Sequence, residues 1–171
     1  MLLDDLNPDV VCLTETKLNS HLDSEIFDIE KYTVFRKDRA NQLAPGGGVV
    51  ILVNKNLISS DSEVTFLNNH AYDESVWCKL IFQNKKVLIE TIYRPPASVR
   101  EKNDLLCDLI RISGDYNNES QVLLCGDFNF REIKWETNEV ALTGQAVDAR
   151  NFLDSVNDVF CSSMCWRTHT T

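Results

Sequence analysis

Gln121-Val122-Leu123-Leu124-Cys125-Gly126-Asp127-Phe128-Asn129 passes from an apolar run straight into a polar turn. A short continuous apolar run of this kind reads as a buried strand. Gly126, Asp127 and Asn129 are turn-forming residues, and here they stand at the strand's C-terminal end. Loops at strand ends are where α/β folds place ligands and catalytic groups. The same arrangement occurs twice more. Val10-Val11-Cys12-Leu13 runs into Thr14-Glu15-Thr16-Lys17, and Ile89 to Ile92 runs into Tyr93-Arg94-Pro95-Pro96. Singly, each has an ordinary reading: Glu15 as a turn acid or cap, Tyr93 as an edge aromatic, Gly126 to Asn129 as plain turn chemistry. Together, each at a strand end, they point to one shared site.

The rest of the chain supplies a matching frame. Val49 to Val53 is another buried strand, preceded by Gly46-Gly47-Gly48. Tyr32 to Arg36 alternates in strand fashion. Val76 to Phe82 and Lys86 to Tyr93 read as a hairpin joined by Gln83-Asn84-Lys85, and Pro95-Pro96 ends its second arm. Residues 1 to 7 read as the end of a helix stopped by Pro8. Ser20 to Asp28 reads as a short helix with a capping-box start, and Ser98 with Glu101 repeats that signal. Leu105, Leu106, Leu109, Ile110 and Ile112 then recur at helical spacing, and Gly114 stops the run. Phe152, Leu153 and Val156 mark the apolar face of a helix over Val147 to Asn157. Strands alternating with helices imply an α/β or α+β layered fold, and the hairpin means that not every strand is parallel.

Composition narrows the class. The 171 residues suffice for one domain with a real core. No apolar run approaches the ~20 residues of a membrane span, and Met1 to Asp5 is no secretory signal. The six cysteines form no CxxC pair. Cys161, Cys165 and His169 offer three zinc ligands, against a bland reading as ordinary residues. A reduced compartment, nuclear or cytoplasmic and not secreted, is expected. The net charge of −9 argues against broad electrostatic binding to nucleic acid. It does not exclude a nuclease, because a divalent cation bound by carboxylates reverses the local sign. Arg36 to Arg39, Arg94, and Arg131 with Lys134 are small basic clusters, read as solvated surface or as partner contacts. His21 and His70 read as surface residues.

The three loops suit phosphodiester hydrolysis. Glu15 is a natural oxygen ligand for Mg²⁺, which would polarise a phosphoryl oxygen and stabilise the leaving oxygen. Asp127 could orient or deprotonate the attacking water. Asn129 could donate to a phosphate oxygen, and Tyr93 could donate its hydroxyl to charge developing at phosphorus. Lys17 and Arg94 are placed to balance negative charge on a substrate.

These motifs, in this order and with the Gly46 to Gly48 turn, resemble the endonuclease/exonuclease/phosphatase superfamily. Within it they look most like the apurinic-type endonuclease domain carried with reverse transcriptase by non-LTR retrotransposons. The E-T-K-L and Y-R-P-P spellings, and G-D-F-N followed by Trp135, carry that likeness. The resemblance covers nearly the whole chain. It implies a four-layered α/β sandwich with two central mixed sheets, in a single domain over 1–171. It also implies a DNA-nicking phosphodiesterase using Mg²⁺ or Mn²⁺, with Glu15 on the metal, Tyr93 at the scissile phosphate, Asp127 on the nucleophilic water and Asn129 supporting it.

Family members also carry a first strand with an asparagine, then a C-terminal aspartate strand and a Ser-Asp-His motif. The sequence from Met1 to Thr171 has no match for these, which suggests an incomplete domain, and His169 is not assigned the catalytic role. Exposed sheet edges open to pairing are the expected consequence. Two other functions fit the same motifs: a non-catalytic scaffold, and a phosphoesterase acting on a lipid or inositol phosphate.

Overall fold

The structure, a computed structural model, describes residues 6–18, 27, 30–39, 46–118, 120–142 and 146–160. Its first sheet has the order β1-β3-β2, from β1 (Val10–Thr14), β2 (Tyr32–Lys37) and β3 (Val49–Asn54), all antiparallel. The second has the order β4-β5-β6-β7, from β4 (Ile58–Ser60), β5 (Ser75–Phe82), β6 (Lys85–Tyr93) and β7 (Gln121–Asp127). It is mixed: β5 and β6 are antiparallel, whereas β6 and β7 are parallel. A short helix α1 (Thr65–Asn68), two long helices α2 (Arg100–Gly114) and α3 (Ala146–Phe160), 3-10 turns at Ser62–Val64 and Asp115–Asn118, and a small ribbon of β8 (Ile133–Lys134) and β9 (Glu139–Val140) complete the described elements. This is the expected layered α/β sandwich. No described helix is long and apolar enough to cross a membrane.

Period-two alternation sorts the side chains into layers. Val49, Ile51 and Val53 pack between the sheets against Val76, Cys78, Leu80, Ile89 and Tyr93. Val50 and Leu52 face the other way, onto Tyr32. With both faces covered and a neighbour on each edge, β3 is buried along its whole length. On the far side of the second sheet, Trp77, Leu88 and Ile92 meet Leu106, Ile110, Phe152 and Val156 of the two long helices. Gly114 lets those helices approach, since a Cβ there would sit 3.0 Å from the Val159 side chain.

The hairpin is one residue tighter than its sequence suggests. Phe82 pairs with Lys85, so only Gln83 and Asn84 turn, with φ of 49° and 62°. Two left-handed residues match the twist of the flanking strands. The expected capping box at Ser98 does not form. Val99 is the N-cap, without a side-chain cap bond, and the Ser98 N–H donates to the Pro95 carbonyl within the preceding turn. The segments read as strands over Val10 to Leu13 and Val122 to Cys125 exist but are not fully buried. Among the described residues both are edge strands, half-exposed, with Leu123 49% exposed. β1 packs across β6 and β7, so the two edges share one flank of the sandwich. The helix read over Ser20 to Asp28 falls almost wholly outside the described residues.

One side chain contradicts its surroundings. Glu90 lies on the same face of β6 as Leu88 and Ile92, fully buried, and neither carboxyl oxygen has a partner among the described residues. Burial pushes it well above the usual carboxylate range. Its proton affinity is then higher folded than unfolded, so folding takes up a proton wherever the unfolded glutamate is ionised. The stability linked to Glu90 is fully present below about pH 4.3 and is lost as pH rises toward the folded value. Glu90→Leu is expected to stabilise the fold by about 1–3 kcal/mol at pH 7.5 in urea unfolding, a gain that shrinks toward pH 4.5. A difference between the two proteins that stays flat with pH would show that this carboxyl titrates alike folded and unfolded.

Candidate active site

The three loops singled out by sequence converge at one end of the sandwich. Two of them share an uncommon backbone feature. Glu15 (φ 53°), Lys17 (φ 56°) and Asn129 (φ 49°) are non-glycine residues in the left-handed region. For Glu and Lys this costs on the order of 1–2 kcal/mol each. Such strain persists only where neighbours enforce it, and it concentrates at functional sites. Here the neighbours are visible. The Thr16 and Lys17 N–H groups donate to the carbonyls of Gly48 and Gly47, at 3.2 and 2.9 Å. Those glycines have φ of 84° and 86°. The glycine turn before β3 is thus the template for the loop after β1.

Across the sheets, the Tyr93 hydroxyl donates to the Glu15 carboxylate, a contact between residues 78 apart in sequence. Tyr93 is 4% exposed. Burial, the bond to Glu15 and the Asp127 charge together push its phenol up to about 12, against an opposing pull from Arg39. It is therefore a neutral O–H donor at any physiological pH. Parallel pairing of β6 with β7 sets Tyr93 level with Asp127. Glu15 and Asp127 are exposed, and Lys17 is exposed on the same loop as Glu15.

The loop holding Asp127 and Asn129 is built on Arg94. Sequence placed Arg94 as a substrate contact, and the structure corrects this. The side chain is fully buried, so its guanidinium is withdrawn from any bound phosphate. Nη1 donates to the carbonyls of Phe128 and Asn129 at 3.3 and 3.0 Å, and Nε to Asn103 Oδ1 at 2.8 Å. Asn103 in turn donates to Asp148 on α3 at 2.8 Å. The guanidinium carbon sits 3.7 Å from the Phe130 ring centroid. Asn129 closes the loop, donating from Nδ2 to the Arg94 carbonyl at 3.0 Å, and its N–H donates to Asp127 Oδ1 at 3.2 Å. Part of the Asn129 amide is thus already engaged in holding the turn. Phe128 anchors the loop from below, with ring centroids 5.0 Å from Phe152 and 6.2 Å from Trp135. Gly126 (φ 153°) is obligatory, since a Cβ would lie 2.0 Å from the Ile92 carbonyl oxygen.

Sequence reasoning missed Glu74. It sits before β5, 5% exposed, in a loop without periodicity. Its carboxylate accepts from Arg39 Nε and, at 3.0 Å, from the Gly48 N–H, while its carbonyl accepts the Tyr93 N–H at 2.9 Å. One residue therefore ties the glycine turn, the end of β2 and Tyr93 together. The signal available was Arg39, the last member of the basic cluster. Among the described residues no group of three or more His, Cys, Asp or Glu side chains is gathered to hold a metal ion. Cys161, Cys165 and His169 lie outside the described residues.

The sequence profile of the Endonuclease/Exonuclease/phosphatase family matches residues 1–170. The chain belongs to this family. Its fold recurs in the endonuclease domain of TRAS1, a telomere-specific non-LTR retrotransposon, at 8% identity and a TM-score of 0.59, covering 92% of this chain and 61% of that one. The Xenopus laevis APE2 catalytic domain is similar at 15% identity and a TM-score of 0.59, covering 92% and 60%. The human Nocturnin catalytic domain follows at 17% identity and 0.52, covering 74% and 53%. At these identities the likeness is one of fold alone. The chain spans between about half and three fifths of the length of these structures. No curated protein matches it.

Replacing Arg94 with Met keeps the bulk but strands the Phe128 and Asn129 carbonyls and Asn103. Arg94→Met is expected to lower stability by about 3 kcal/mol in urea unfolding. It should also speed hydrogen exchange at Phe128 to Phe130. Unchanged stability would mean that the loop holds itself without the guanidinium.

Proposed function

We propose that this chain is a metal-dependent phosphodiesterase domain that nicks DNA, of the type carried by non-LTR retrotransposons. The observation that carries this reading is the meeting of Glu15 and Tyr93 from opposite sheets, with Asp127 level beside Tyr93. A carboxylate, a neutral phenol and a second carboxylate, all on backbone held in place by neighbours, form a reaction centre rather than a surface turn. The E-T-K-L and Y-R-P-P spellings favour the retroelement type.

Glu15 would hold the divalent cation, Mg²⁺ or Mn²⁺. Its exposed carboxylate fits Mg²⁺, which takes one or two carboxylates and keeps several waters. When bound, such a cation supplies Lewis-acid stabilisation of charge on the phosphoryl and leaving oxygens. Tyr93 donates its hydroxyl to a non-bridging phosphate oxygen, turning from Glu15 to do so. Asp127 orients the attacking water and accepts its proton. Asn129 fixes the position of Asp127 through their hydrogen bond, and Lys17 offers an exposed positive charge to the DNA backbone.

Supercoiled plasmid incubated with the purified protein and Mg²⁺ is expected to become nicked, and EDTA to abolish the reaction. Glu15→Ala and Asp127→Ala should each lower the rate at least about a hundredfold, and Tyr93→Phe by about ten- to a hundredfold. Nicking that survives Glu15→Ala, or a folded protein that does not nick at all, overturns the proposal.

A further inference from the structure

Beside the site, a cavity of about 370 Å³ opens between the loop before β5, the turn after β6 and the first turn of α2. We infer that it is a subsite for one nucleobase of the strand flanking the scissile phosphate. This rests on the DNA-nicking reading above and adds what selects the target.

Three observations choose the occupant. The first is continuity. The Tyr72 hydroxyl donates to the Tyr93 carbonyl at 2.8 Å, and the Tyr93 N–H donates to the Glu74 carbonyl at 2.9 Å. Both walls are bonded directly to the main chain of the residue assigned to the phosphate, which sets the cavity next to the proposed site. The second is shape and polarity. Tyr72, Pro95, Ala97 and Val99 give mostly apolar walls, and the volume lies in the range of small-ligand sites. The third is charge. The lining carries two cations, each matched by an acid: Lys102 Nζ lies 2.6 Å from Asp73 Oδ1, and Arg39 is bonded to Glu74. A bare phosphate would want excess positive charge, which is lacking. A base offers apolar faces and an edge of donors and acceptors, and the rim presents both kinds of partner. Lys102 and Asp73 are 42% and 45% exposed, so their pair is weak and readily exchanged for a base edge.

The test is an NMR titration of the full chain, in EDTA, with the four deoxynucleoside 5′-monophosphates, with deoxyribose 5-phosphate, and with a short single-stranded oligodeoxynucleotide. At least one nucleotide is expected to shift the Ser98, Val99 and Lys102 amides saturably, and the sugar phosphate to leave them unmoved. Ala97→Trp, at an exposed position, should fill the cavity and weaken nucleotide binding about tenfold or more. Val99→Trp, 59% exposed, provides the same block if the first variant folds poorly. An equal response to the sugar phosphate makes the cavity an anion site and ends the proposal. If the oligonucleotide perturbs Glu15 and Tyr93 but not the cavity, the nuclease reading stands and the subsite falls. If nucleotides enter the cavity while no oligonucleotide reaches Glu15 and Tyr93, the DNA reading falls and takes the subsite with it.

Discussion

A guanidinium withdrawn from water must find its hydrogen bonds in the protein, and Arg94 finds them in the backbone of the loop bearing Asp127 and Asn129. That requirement organises this end of the molecule. The carbonyls it binds belong to the two residues that follow Asp127, so the loop cannot relax without stranding a buried charge. The chain of bonds continues through Asn103 to Asp148, which fastens the turn after β6 to both long helices. A loop at the end of an edge strand is ordinarily among the least stable parts of a sheet. Here it is tied to the core of the helical layer.

A second polar anchor does the same for the opposite sheet. Glu74 reaches the glycine turn and Arg39 with its carboxylate and Tyr93 with its main chain. Arg94 and Glu74 therefore bracket Tyr93 from either side. Neither needs to touch a substrate. They set the frame in which Glu15, Tyr93 and Asp127 face one another, and the left-handed backbone at Glu15 and Asn129 is the local cost of that frame.

Much of this was legible in the sequence because it is periodic or positional. The continuous apolar run through Val49 to Val53 and the paired hairpin arms marked the strands, and the Leu105 to Ile112 spacing marked a helix. The three strand-end loops stood out because polar residues follow apolar runs. What was not legible depends on neighbours. Apolar runs at Val10 to Leu13 and Val122 to Cys125 look the same in a central strand as on a half-exposed edge, and composition cannot tell the two apart. Ser98 and Glu101 matched a capping pattern, but the Pro95-Pro96 turn claimed the Ser98 N–H first. Arg94 read as a free positive charge because sequence does not reveal burial. Glu74 left no pattern of its own beyond the partner that Arg39 required, since a lone acid in a loop acquires meaning only from the elements that meet it.

The contact at Gly126 sets the tolerance of the whole site to change. Its α-carbon lies against the Ile92 carbonyl where β6 and β7 run side by side, one residue before Tyr93 and Asp127 face each other. Any side chain there would wedge the strands apart and widen the gap between phenol and carboxylate without touching either. The lateral spacing of two assigned reactive groups is thus encoded by a hydrogen atom. Divergence at this position would undo the proposed chemistry while leaving every assigned residue in place.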